Sequence, residues 1–103
     1  MTVDQVFIIK KLQNLDEMLV AYSAVTRMPF AICDDESFND QVWIFTDQDK
    51  LKTFAEKYKE EKKLILPVKV QKKDASMFYM NLFAMGINEV VFCDGDQENK
   101  IEL

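Results

Sequence analysis

The chain contains no histidine. That removes the commonest general base, the commonest transition-metal ligand and every Ser–His or Cys–His nucleophilic arrangement. Glycine and proline number only two each. Two glycines cannot build a glycine-rich phosphate cradle of either common kind, and so few turn residues argue against an all-β sandwich. Two cysteines, Cys33 and Cys93, are too few for a disulfide scaffold. No apolar run approaches the roughly 20 residues that span a bilayer, and the run Val6-Phe7-Ile8-Ile9 stops at Lys10-Lys11. No stretch combines the charged start, apolar middle and small-residue cleavage site of a signal peptide. The expectation is a reduced, cytoplasmic protein with free, buried and inert thiols, no membrane contact, no metal and no cofactor.

What is present fits one globular domain. The chain has 103 residues, of which 49% are hydrophobic and 12% aromatic, so it is no disordered tail. The charge is unevenly spread. Between Lys50 and Lys73 nine lysines face three glutamates, leaving +6 there and −11 on the rest of a chain whose net charge is −5. A helix laced with Glu/Lys pairs explains such a segment. Overall acidity and the lack of arginine in the lysine-rich stretch speak against nucleic acid as a partner.

Composition predicts a leading helix over Thr2–Gln13, and periodicity a second over about Leu15–Val25, where Leu15, Leu19 and Tyr22 recur at helical spacing. Ile8 and Leu12 share that face, so one continuous helix is the alternative. Met28–Asp34 and Val42–Thr46 then read as strands joined by a short polar link, an antiparallel hairpin. Thr46-Asp47-Gln48-Asp49 opens an amphipathic helix with Thr46 at the cap and a carboxylate three residues on. Its apolar face carries Leu51, Phe54, Ala55 and Tyr58. Leu64–Val70 is the next strand, and Pro67 places it near an edge or at a bulge. Asp74 caps a helix running to about Met85, with Gly86 as its left-handed terminator. Glu89–Cys93, the turn Asp94-Gly95 and a short strand Lys100–Leu103 end the chain. The expected fold is mixed α/β (α+β): a mixed sheet of about five strands in the order α-β-β-α-β-α-β-β, with residues 1–27 a leading helical segment and 28–103 the α/β core. Crossovers through the later strands predict parallel neighbours there.

The acids Asp34-Asp35-Glu36 and Asp94–Glu98 could meet at one end of such a sheet, where hard cations take carboxylate oxygens. A solvated hairpin turn explains the second group better, because its glycine falls at the wrong position for a calcium loop. Cys33 and Cys93 each end a strand beside an aspartate, an environment that disfavours a reactive thiolate.

The segment Met77-Phe78-Tyr79-Met80-Asn81-Leu82-Phe83-Ala84-Met85 has one polar residue, Asn81. A surface helix needs a polar face, so this helix needs cover on more than one side. Either the leading helix, with Phe7 and Ile8, supplies it, or a second molecule does. Met and aromatic side chains suit an adaptable contact surface.

The strand-to-helix passage Val42-Trp43-Ile44-Phe45-Thr46-Asp47, followed by Leu51 and Phe54, resembles the SseB N-terminal domain family. The stretch from Leu15 through Val25 into Pro29-Phe30-Ala31-Ile32 is similar to that family's first helix and strand. Met85-Gly86-Ile87-Asn88-Glu89-Val90-Val91-Phe92 resembles its turn into a buried strand. The sequence departs from the family at Ala31-Ile32-Cys33 and at Cys93-Asp94, where the family tends to place Pro and Asn-Pro. The resemblance implies a bacterial cytosolic domain and supplies no cofactor or catalytic residue. The functional expectation is a non-catalytic interaction module, not an enzyme. It would self-associate or bind another protein through Met77, Phe78, Tyr79, Met80, Phe83 and Ala84. The alternative is a small-ligand or anion-binding domain, using the lysines and the helix start at Thr46-Asp47.

Overall fold

The computed structural model describes residues 3–59 and 64–102. The expected helix start at Thr2, residues 60–63 of the lysine-rich stretch and Leu103 lie outside the described residues. The elements are α1 (Val3–Gln13), β1 (Glu17–Ser23), β2 (Ala31–Cys33), β3 (Asp40–Phe45), α2 (Gln48–Lys57), β4 (Ile65–Gln71), α3 (Ala75–Ala84), β5 (Glu89–Asp94) and β6 (Gln97–Glu102). A 3-10 turn, Lys72–Asp74, leads into α3. The fold is mixed α+β, a six-stranded mixed sheet with three helices.

The main correction to the sequence reading is β1. The expected helix over Leu15–Val25 is a strand, so residues 1–27 are not a helical segment set apart from a core. β1 lies inside the sheet, whose order is β4-β1-β3-β5-β6 with β2 continuing along the edge of β3. Met18 and Val20 join the core on one face, and Leu19 and Ala21 join the core on the other. A strand buried on both faces shows a continuous apolar run instead of alternation, and such a run is indistinguishable from a buried helix by pattern alone.

β1 also changes the topology. β3 and β5 are parallel neighbours, as expected. β4 is not next to either of them; it pairs antiparallel with β1, with Ala21 opposite Pro67. β1 occupies the slot that would otherwise bring β4 against β3. β4 is therefore an edge strand, where a residue lacking an amide donor costs least. The β2–β3 hairpin is antiparallel, as is β5–β6, whose turn has Gly95 at φ 62°.

Helix ends differ from expectation in two details. The cap of α2 is Asp47, whose carboxylate accepts from the Asp49 amide at 2.8 Å. The Thr46 hydroxyl turns instead to Asp94 Oδ1, at 3.3 Å. Asp74 stands before α3 but makes no side-chain cap bond. Its backbone is already helical, because it closes the 3-10 turn. Gly86 has φ 79° and ends α3 in the left-handed region, as its sequence position predicts.

The sheet divides the protein into two cores. On one face α1 and α3 cover Met18, Val20, Val42, Ile44, Val90, Phe92 and Ile101. On the other face α2 covers Leu19, Ala21, Phe45, Val91 and Cys93.

Candidate functional site

Helix α3 enters its core through Phe78 and Leu82, one turn apart and 5% and 0% exposed. Phe78 is therefore a core residue and leaves the expected interface. Tyr79 is half-buried beside it; its hydroxyl lies 3.8 Å from Met18 Sδ, and burial pushes its pKa up to about 12. Three of the remaining candidates stand in solvent: Met77 and Met80 at 69% and Phe83 at 59%. Ala84 is exposed with them. No residue of α3 carries a charge.

Helix α1 shares this face of the sheet, and its described side chains leave the outer side of α3 exposed. Leu12 is buried and Ile9 half-buried against the core, and Lys11 pairs with Asp94. Phe7, expected to cover α3, is itself exposed, as is Val6. The Ile8 side chain lies outside the described residues. A cleft of about 190 Å³ remains between the helices, walled by Ile9 and Leu12 on one side and Tyr79 and Phe83 on the other, with Val90 and Ile101 as its floor.

Of the other expected constellations, the two cysteines stay apart, and the two acidic groups meet only where Asp34, Asp35 and Glu98 line one groove. Cys33 lies opposite Asp40 at one end of β3, and Cys93 opposite Phe45 at the other end. Cys93 is buried, and that burial, with Glu98 nearby, pushes its thiol up to about 12. Cys33 is exposed, contrary to the expectation of two buried thiols. Three of these acids have their own cation. Asp34 accepts from Lys100 at 2.9 Å, which holds its carboxyl below the usual range. Asp94 pairs with Lys11, and Asp96 with Lys50. Among the described residues no group of three acids or thiols is placed to hold a metal ion. At the start of α2 the Asp47 carboxylate already takes the position an anion would need.

Sequence reasoning missed a polar network on the α2 side. Glu89, 4% exposed at the head of β5, accepts from Gln41 Nε2 and from Asn39 Nδ2, the latter at 3.3 Å. Gln41 in turn accepts from the Trp43 indole at 3.4 Å. The one signal in the sequence is a carboxylate heading an otherwise apolar strand.

No protein-family model, curated protein or solved structure matches the chain.

Proposed function

We propose that this chain is a non-catalytic interaction module that self-associates through the outer side of α3. The observation that carries the reading is the exposure of Met77, Met80 and Phe83 on a helix without charge. These three expose on the order of 400 Å² of apolar surface. That is about half of the roughly 800 Å² one partner gives a standard interface. The cleft beside Phe83 extends it.

The spacing favours a second copy as the occupant. The three residues recur every third position, so Met80 is the midpoint of the stripe. An antiparallel α3 pair about a twofold axis through Met80 sets Met77 against Phe83 of the partner subunit, and the reverse. This is the self-complementarity an isologous dimer needs. With no charge on either helix, no like-charge repulsion opposes the contact. Ala84 leaves room for close approach.

The non-catalytic part of the reading is supported by the missing histidine and by acids held in ion pairs. The unpaired cysteines suit a reducing, cytosolic compartment. We keep the SseB-like relationship as part of this proposal. The Phe45-Thr46 strand end and the Gly86 turn support it, whereas the family's first helix has a strand, β1, in its place.

Light scattering across micromolar concentrations tests the reading. The wild type is expected to dimerise. Met80→Asp sets two carboxylates at the twofold axis and is expected to give a monomer with an unchanged circular-dichroism spectrum. A wild type that stays monomeric throughout that range would sink the proposal.

A further inference from the structure

The second feature lies on the opposite face of the sheet and is independent of self-association. α2 covers only part of that face. Beside it runs an open groove of about 720 Å³, bounded by β2 and the following turn, β3, β6 and the end of α2. Small-molecule sites occupy roughly 300–1,000 Å³. We propose that this groove binds a small organic cation, an extended alkyl polyamine, with its chain along Trp43 and Tyr58 and its ammonium groups at Glu98 and Asp35.

Three observations support the assignment. The first is charge. Asp34, Asp35, Glu98 and Lys100 line the groove. Lys100 is already bound to Asp34 at 2.9 Å. Among the described residues no cation lies within ion-pair reach of Asp35 or Glu98, so the lining keeps two carboxylates uncompensated.

The second is a buried charge behind the lining. Glu89 lies beside Gln41 on the neighbouring strand, 4% exposed and held by two side-chain amides. Among the described residues it has no ion-pair partner. A buried carboxylate satisfied only by neutral donors keeps its field, because the surrounding protein screens poorly. That field acts on Lys100, which also serves Asp34, so one lysine of the lining stands against Asp34, Asp35 and Glu98 in the groove and Glu89 beside it.

The third is the aromatic floor. Trp43 is held in place by stacking on Phe54, with ring centroids 4.9 Å apart and 28° between planes. Its indole N–H is directed to Gln41. A fixed indole attracts ammonium groups and accommodates an alkyl chain. Polyamines combine both features, whereas a hydrated metal ion offers no apolar part for the aromatics to contact.

The protein supplies its own probes. Trp43 is the only tryptophan, and the exposed Cys33 also lines the groove. Spermidine titrated at constant ionic strength is expected to change Trp43 emission saturably and to slow alkylation of Cys33. Glu98→Gln should weaken binding about threefold, and Asp35→Asn with Glu98→Gln about tenfold, as expected for exposed ion pairs. Both positions are on the surface, and unchanged thermal unfolding of the variants will verify that they fold. The proposal is overturned by a flat Trp43 response up to millimolar spermidine, or by wild-type affinity in the double variant. Magnesium chloride producing the same response would equally overturn it, by showing a general acidic surface. Tighter binding of a lysine-rich peptide than of spermidine would overturn the assignment to a small ligand.

Discussion

The two faces of the sheet bury their apolar residues in different ways. On one face α2 is amphipathic, capped by Asp47, and turns Leu51 and Phe54 inward. Phe54 sits within about 5 Å of Trp43, Phe45 and Tyr58, in one aromatic cluster that also includes Phe30. Lysines fill the outer side. On the other face α3 buries Phe78 and Leu82 equally well, yet its outer side carries Met77, Met80 and Phe83 in solvent with only Ser76 and Asn81 as polar neighbours on the helix. The first helix is finished by folding. The second is left with a surface that water solvates poorly, and the described side chains of α1, pinned through Leu12, do not cover it. Helix amphipathicity thus separates a structural element from a contact element within one small domain.

Substitutions can break or sharpen this contrast. The largest effect is expected at Phe54, where Phe54→Ala removes the centre of the aromatic cluster and should cost about 3–5 kcal/mol in urea unfolding. Met80→Ser on the outer side of α3 should change monomer stability by no more than about 0.5 kcal/mol. Equal losses at the two positions would abolish the distinction between the helices.

A smaller difference is expected at the helix starts. Asp47→Ala should cost about 1 kcal/mol, because it frees the Asp49 amide. Asp74→Ala should cost only a few tenths, since no cap bond is lost there. Chemical denaturation of the two variants side by side measures the gap.

The smallest effect concerns pH and belongs to two exposed ion pairs, one of which lines the groove. Lys100 and Lys50 hold Asp34 and Asp96 below the usual carboxylate range, and the acids raise the lysines in return. A depressed carboxyl contributes stability above its unfolded pKa and loses it as pH falls through the folded one. A raised ammonium contributes below its unfolded pKa and loses that contribution as pH rises through the folded one. Stability should therefore sag modestly at both extremes and stay flat between them. High salt should shrink both limbs. Asp34→Asn should flatten its share of each, as thermal unfolding across pH would show.

Much of the fold was legible in the residues. Leu51, Phe54 and Tyr58 announce α2, Pro67 marks β4 as an edge, and Gly86 and Gly95 mark two turns. β1 was not legible. Its seven residues, Glu17–Ser23, carry a run buried from both sides, and that pattern acquires its meaning only from the two strands that flank it. For the candidate interface, the excess of apolar residues from Met77 to Met85 was visible, but not which of them turn inward. Phe78 and Met77 are adjacent in sequence and opposite in environment. The groove was the least legible, since Asp34, Trp43, Glu89 and Glu98 come from separate strands and turns.

By itself the sequence determined what chemistry is available: no imidazole, no phosphate-cradling loop, carboxylates and lysines in separate blocks, and one helix with more apolar surface than a single buried side can hold. Tertiary structure alone decided that Glu17–Ser23 extends as a central strand, that the described side chains of α1 leave Met77, Met80 and Phe83 exposed, and that Glu89 is enclosed by side-chain amides. The reason is physical. Local pattern records what each residue prefers, while burial on two faces, cover by a distant helix and the company of a charge depend on residues far along the chain.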